Sequence, residues 1–320
     1  MLQRTTAAVL ALVAVLAAGC TIGKDQTGAQ VGEGSIKKID ALSGAQIRVS
    51  SKEFDEQLLL GQIALVALQA AGASPQDKTN ITGSSNVRQA LTSGAVDLYW
   101  EYTGTAWISY LHQTKPIADP QAQYDAVKQA DAANGVTWWA RSPANDTYAI
   151  AGNPATVAKT GVKTVSDYAA LVAKDPAGAS TCMGPEFKSR DDGFPGLAKT
   201  YGFSLPDPQV HLLNDAVVYT SIGKGDPCGF GSVASTDGRV AGQKLVVLED
   251  DKHFFPTYNP AIAIASGLAG KYPQLEQLFT PIAAKLDTAT LTDLNKKVSV
   301  DGQKPATVAH DWLKSAGFIS

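Results

Sequence analysis

Apolar residues recur at helical spacing between Phe54 and Ala71, at Leu58, Leu59, Ile63, Val66, Ala67 and Ala70, and Gly72 stops the run. A short strand pattern over Ile47 to Ser50 precedes this helix. A second helix pattern, Ser84 to Ser93, follows it and ends at Gly94, and an apolar, aromatic strand comes next from Val96 to Tyr102. This strand–helix–helix–strand order predicts an α/β lobe around a mostly parallel sheet.

The middle of the chain repeats the theme. Strand patterns fall at Tyr148 to Gly152, Val210 to Leu213, Lys244 to Leu248 and Ala261 to Ala265, the last apolar enough for a buried sheet. Helices are predicted over Val165 to Ala173, with Ser166 as cap, and over Asp215 to Gly223. Helices over 272–286, 290–297 and 305–315 close the chain, with Pro305 at a helix start where a missing N–H costs little. Two loop-to-strand passages, Ser142 to Tyr148 and Phe254 to Pro260, look like crossings between lobes. Segments 45–145 and 258–320 would then build one lobe and 146–257 the other, with a ligand cleft between them.

The N-terminus reads differently. Arg4 followed by the apolar run Ala7 to Ala18 reads as a signal peptide over residues 1–19, too short to span a bilayer. Leu16-Ala17-Ala18-Gly19-Cys20 resembles the lipobox of bacterial lipoproteins, which implies lipidation at Cys20. Residues 20–44, poor in aromatics and rich in Gly, Ser, Gln and Lys, read as a flexible tether. Without residues 1–19 the chain carries 26 basic against 30 acidic residues, a balance that leaves no footprint for nucleic acid. The remaining cysteines, Cys182 and Cys228, read as lying in Gly/Pro-flanked loops of an exported chain and are expected to pair. His112, His211, His253 and His310 are scattered, so no metal site is expected and no cofactor is implied. No G-x-S-x-G, H-E-x-x-H or P-loop motif points to catalysis.

The chemistry concentrates where the strand at 96–102 ends, in Tyr99-Trp100-Glu101-Tyr102-Thr103-Gly104-Thr105. Aromatic faces beside small hydroxyl residues suit a pocket for a cation or a flat apolar ligand, and equally suit an amphipathic strand packed in a core. Companion motifs decide between these. Ser51-Lys52-Glu53-Phe54-Asp55-Glu56-Gln57, Tyr99 to Thr105, Asn145-Asp146-Thr147-Tyr148-Ala149, Pro185-Glu186-Phe187 with Arg190, Asp192 and Gly193, Thr236-Asp237-Gly238-Arg239, and Leu248 to Pro256 occur in this order. Together they resemble the binding proteins of ABC importers for glycine betaine, choline and carnitine.

The resemblance implies the two-lobed type II periplasmic-binding-protein fold and a tyrosine cage for a trimethylammonium group. Position by position, Tyr102, Tyr148 and Tyr258 match cage tyrosines, and Lys52 and Arg190 match cations that take a carboxylate. Thr105 matches a polar pocket residue, and Asp146 a position facing the ammonium. A quaternary ammonium has no N–H to donate, so ring faces and diffuse negative potential must recognise it, at roughly 0.5–2 kcal/mol per ring. Tyr99 and Tyr219 read as core. Ala234 stands where the family has an aromatic residue, which removes one wall. That departure leaves two ligand classes open, a quaternary amine or an aromatic or phenolic solute. Further implied are a permease with a cytoplasmic ATPase as partners, a monomeric receptor, and a place on the extracytoplasmic face of the cell membrane, attached only by its lipid anchor.

Overall fold

The computed structural model describes residue 32 and residues 34–320, so the expected signal peptide, Cys20 and most of the tether lie outside the described residues. Among the described residues, ten strands form two five-stranded sheets. The first runs β2 (Ser74–Ile81), β1 (Gln46–Lys52), β3 (Leu98–Tyr102), β10 (Pro260–Ala265), β4 (Val136–Trp139). The second runs β7 (Val210–Leu212), β6 (Thr181–Met183), β8 (Phe230–Ala234), β5 (Tyr148–Gly152), β9 (Val246–Val247). Each sheet holds three parallel strands followed by one antiparallel strand, β10 or β5. That antiparallel strand is the one delivered by a crossing segment. The crossings fall between β4 and β5 and between β9 and β10, so residues 46–139 and 260–320 share one lobe and 148–247 form the other.

The helix Asp55–Ala70 is buried on nearly every side because it lies between the first sheet and the helix Pro305–Ser315. Leu59, Leu60, Ile63 and Leu68 are fully enclosed there, which explains a run apolar beyond a single stripe. On the sheet's other face, Tyr99, Trp138 and Ala261 join a second core. Tyr99 is thus a core ring, although its hydroxyl donates to Glu101 at 2.7 Å.

The structure differs from the sequence expectation in several places. The tether expected through residue 44 ends earlier, because Ile36 and Leu42 bury themselves in the first lobe's core. Ser35 and Ile36 also donate backbone N–H groups to the carbonyls of Gly317 and Phe318. Strand β2 went unrecognised because its residues are mostly polar and half-exposed, as an edge strand permits. Thr164, rather than Ser166, caps the helix Val165–Lys174, through a reciprocal capping box with Asp167. Cys182 lies in strand β6 instead of a loop. Both cysteines are fully buried, and their disulfide spans a Cα–Cα distance of 5.7 Å.

Candidate functional site

A cavity of about 360 Å³ lies between the lobes. It opens at the carboxyl ends of the parallel strands, where α/β sheets place their ligands. Lys52 ends β1, Tyr102 ends β3 and Ala234 ends β8. The segment after β6 supplies Pro185, Glu186, Phe187 and Arg190. The crossing segments are bonded to each other: Asn145 Oδ1 accepts the Tyr258 N–H at 2.7 Å, and Asn259 Nδ2 donates to the Ala144 carbonyl at 2.7 Å. That bracing sets Tyr148 and Tyr258 edge to face with centroids 5.5 Å apart.

Six aromatic rings line the cavity: Phe54, Tyr102, Tyr148, Phe187, Tyr219 and Tyr258. Tyr148 also meets Phe187 edge to face at 5.1 Å, and Phe54 stacks on Tyr102 at 6.2 Å. Tyr219, expected in the core, is 5% exposed yet forms part of the cavity wall. Burial holds the phenols of Tyr102, Tyr219 and Tyr258 well above their ordinary pKa, so these rings stay neutral.

The Thr-Gly-Thr turn has a steric reason. A Cβ at Gly104 would sit 2.7 Å from the Tyr258 ring and 2.8 Å from the Thr257 carbonyl oxygen. Gly104→Ala is therefore expected to displace Tyr258 and to cost about 1–3 kcal/mol of stability, measured by denaturant unfolding.

All three cations of the lining are ion-paired. Lys52 Nζ lies 2.7 Å from Glu101 Oε1, and both side chains are buried. The parallel register Val49↔Leu98 brings residues 52 and 101 level on neighbouring strands. Arg190 pairs with Asp192 at 2.5 Å and with Glu186 at 3.5 Å, and donates to Thr105 Oγ1 at 3.2 Å. Arg239 pairs with Asp237 at 2.5 Å and Asp55 at 3.4 Å. Against these three cations the lining sets seven carboxyl groups, those of Glu53, Asp55, Glu56, Asp146, Glu186, Asp215 and Asp237. The cavity is electronegative.

One cluster on its floor ties the lobes together. Thr236 Oγ1 lies 2.5 Å from Glu56 Oε2 and 2.6 Å from Asp146 Oδ1. Tyr102 donates to Glu56 Oε1 at 2.8 Å, and Asn295 Nδ2 donates to Oε2 at 2.5 Å. A threonine hydroxyl has one hydrogen, so two short contacts to carboxylate oxygens require a proton on one carboxyl group. Glu56 carries it. Burial first, then the neighbouring Asp146, pushes Glu56 up to about 8, against the hydrogen bonds from Thr236, Asn295 and Tyr102. Asp146 is partly accessible where it faces the cavity, yet desolvation raises it to about 6, with Asp237 adding to the shift and Thr236 opposing it.

All the residues expected from the sequence, Lys52, Tyr102, Thr105, Asp146, Tyr148, Arg190, Ala234 and Tyr258, border this one cavity. Sequence reasoning missed Glu56, Thr236, Asn295, Phe187 and the inward face of Tyr219. Glu56 and Thr236 lay inside motifs already singled out. Asn295 shares the buried stripe of Leu291, Leu294 and Val298, and a polar residue on such a stripe is a readable signal.

A family model described as the substrate-binding domain of ABC-type glycine betaine transport systems matches residues 45–315. The chain belongs to this family. It is a substrate-binding component of an ABC transporter, not an enzyme, and its two-lobed α/β architecture is that of the periplasmic binding proteins. The chain is 36% identical over 273 residues to a glycine-betaine-binding protein of Pseudomonas aeruginosa, covering 84% of this chain and 87% of that protein. It is 30% identical over 296 residues to the glycine betaine-binding protein YehZ of Escherichia coli, covering 89% and 97%. Among solved structures, a glycine betaine/carnitine/choline ABC transporter protein superposes with a TM-score of 0.68 at 25% identity, covering 86% of this chain and 99% of the other.

Proposed function

We propose that the chain captures a quaternary-ammonium osmoprotectant of the glycine betaine, choline or carnitine type in an aromatic cage. On this reading it hands the solute to a membrane permease driven by a cytoplasmic ATPase. The observation that carries the reading is a cavity with six aromatic rings, six carboxylates beside the protonated Glu56, and three cations that are already paired. Ring faces and an electronegative surround attract a cation that cannot donate hydrogen bonds. Tyr102, Tyr148 and Tyr258 would contact the ammonium, with Asp146 adding negative potential. Arg190 and Thr105 would receive a carboxylate where the ligand has one. A neutral phenolic solute gains nothing from that negative surround, so this charge distribution favours the amine over the phenolic alternative left open by Ala234. The receptor would act as a monomer, held on the extracytoplasmic face of the membrane by a lipid at Cys20.

Calorimetry against glycine betaine, choline, carnitine, proline betaine and a phenolic panel tests the ligand class. Binding confined to quaternary amines is expected, and binding confined to phenolics would overturn it. The Glu56 cluster adds a pH dependence. Its proton is held only while Glu56 is enclosed with Asp146, Thr236, Tyr102 and Asn295, and opening the lobes returns the carboxyl toward its ordinary value of 4.5. The closed form therefore binds more protons, and its advantage is complete below about 4.5 and lost as pH rises through about 8. Affinity is expected to fall on the order of tenfold between about pH 6.5 and 8, and Glu56→Gln to flatten that profile. A wild-type dissociation constant that stays level across this range would rule the coupling out.

A further inference from the structure

We propose that Tyr219, held beside the small residue Ala234, forms the second-lobe wall of the cavity and acts as a specificity-determining ring. The inference rests on the quaternary-amine reading above. In the β5–β8 register Ala234 stands directly opposite Tyr148, so both side chains project from the same face of the second sheet. A large side chain at 234 would stand against the Tyr148 ring. The methyl of Ala234 leaves that space open, while Tyr219 comes to the cavity from the sheet's other face, where its helix Asp215–Lys224 packs with Val233 and Ala149.

Two contacts fix the ring. Strand β8 makes its last pair with β6 at Cys182↔Gly231, so Ala234 lies beyond the end of that neighbour. Its N–H donates instead to the Tyr219 hydroxyl at 3.0 Å. On the other side the Arg239 guanidinium carbon lies 4.6 Å from the Tyr219 ring centroid, and Arg239 is itself held by Asp237 and Asp55. A ring clamped at its hydroxyl and over one face offers a preorganised surface to a ligand. Arg239 at 4.6 Å draws more on the Tyr219 ring than Arg190 at 5.6 Å draws on Tyr148, so Tyr219 is expected to contribute less than Tyr148 to holding a cation.

The test separates a ligand-facing wall from a mere acceptor for the Ala234 N–H. Tyr219→Phe removes the acceptor and keeps the ring, whereas Tyr219→Leu removes both. Dissociation constants for the tightest-binding quaternary amine are measured beside melting temperatures. A wall predicts an affinity within about threefold of wild type for Tyr219→Phe and a loss of about tenfold for Tyr219→Leu. Ala234→Phe alone should weaken binding by crowding Tyr148. Equal drops in melting temperature for the Phe and Leu variants, with unchanged affinity in both, would overturn the inference. Tyr148→Ala serves as the control: if it loses binding while Tyr219→Leu does not, the inference alone fails. A wild-type protein that binds no quaternary amine overturns the functional reading and the inference together.

Discussion

Tyr148→Ala is expected to weaken quaternary-amine binding by roughly 30- to 100-fold, about 2–3 kcal/mol. The ring sits at the junction of the site, edge to face with both Phe187 and Tyr258 and beneath the Arg190 guanidinium, whose carbon lies 5.6 Å from its centroid. Removing it takes away one cation–π face and lets its two aromatic neighbours relax into the gap. Tyr148→Phe keeps the face and should stay within about threefold of wild type. Calorimetry on the two variants decides the matter. Equal losses for Ala and Phe would show that the hydroxyl, not the ring, makes the contact.

Lys52→Met is expected to act on stability first, lowering it by about 3–5 kcal/mol, because it strands a buried carboxylate. Glu101 would keep the hydrogen bonds from Tyr99, Tyr110 and the Tyr102 N–H, at 2.7, 2.8 and 2.7 Å, but no counter-charge. Removing the charge while keeping an acceptor oxygen, in Lys52→Met with Glu101→Gln, should recover a large part of that loss. Denaturant unfolding of the single and double variants measures the coupling. The carboxylate-binding role that the sequence resemblance assigns to Lys52 makes a different demand. Under it, stability would hold and affinity for betaines would fall while affinity for choline did not.

Lys52 also shows what was legible in the sequence. The ordered motifs singled out residues that the fold does bring to one cavity, and the loop-to-strand passages lay where the chain changes sheets. Motifs are local, however, and the partner of a side chain is not. Nothing in Ser51-Lys52-Glu53 says that β1 and β3 lie side by side in the register that sets Lys52 level with Glu101. Tyr219 escaped for a similar reason. Its helix carries apolar neighbours on a face that packs inward, but whether a ring on that face meets core or cavity depends on where β6 stops. The proton between Glu56 and Asp146 depends on residues 56, 146, 236 and 295 meeting across two lobes. No periodicity encodes that meeting. Strand β2 was hidden because a half-exposed edge strand lacks the alternation by which strands are recognised.

Recognition of the cation is tested most sharply by comparing choline with 3,3-dimethylbutan-1-ol, its uncharged isostere, in which carbon replaces the ammonium nitrogen. The two have nearly the same shape and differ in charge. If ring faces and an electronegative cavity recognise a cation, calorimetry should show the amine binding at least tenfold more tightly, about 1.4 kcal/mol or more. Equal affinity for the two would mean that the cavity reads shape and apolar surface alone, and would contradict the account.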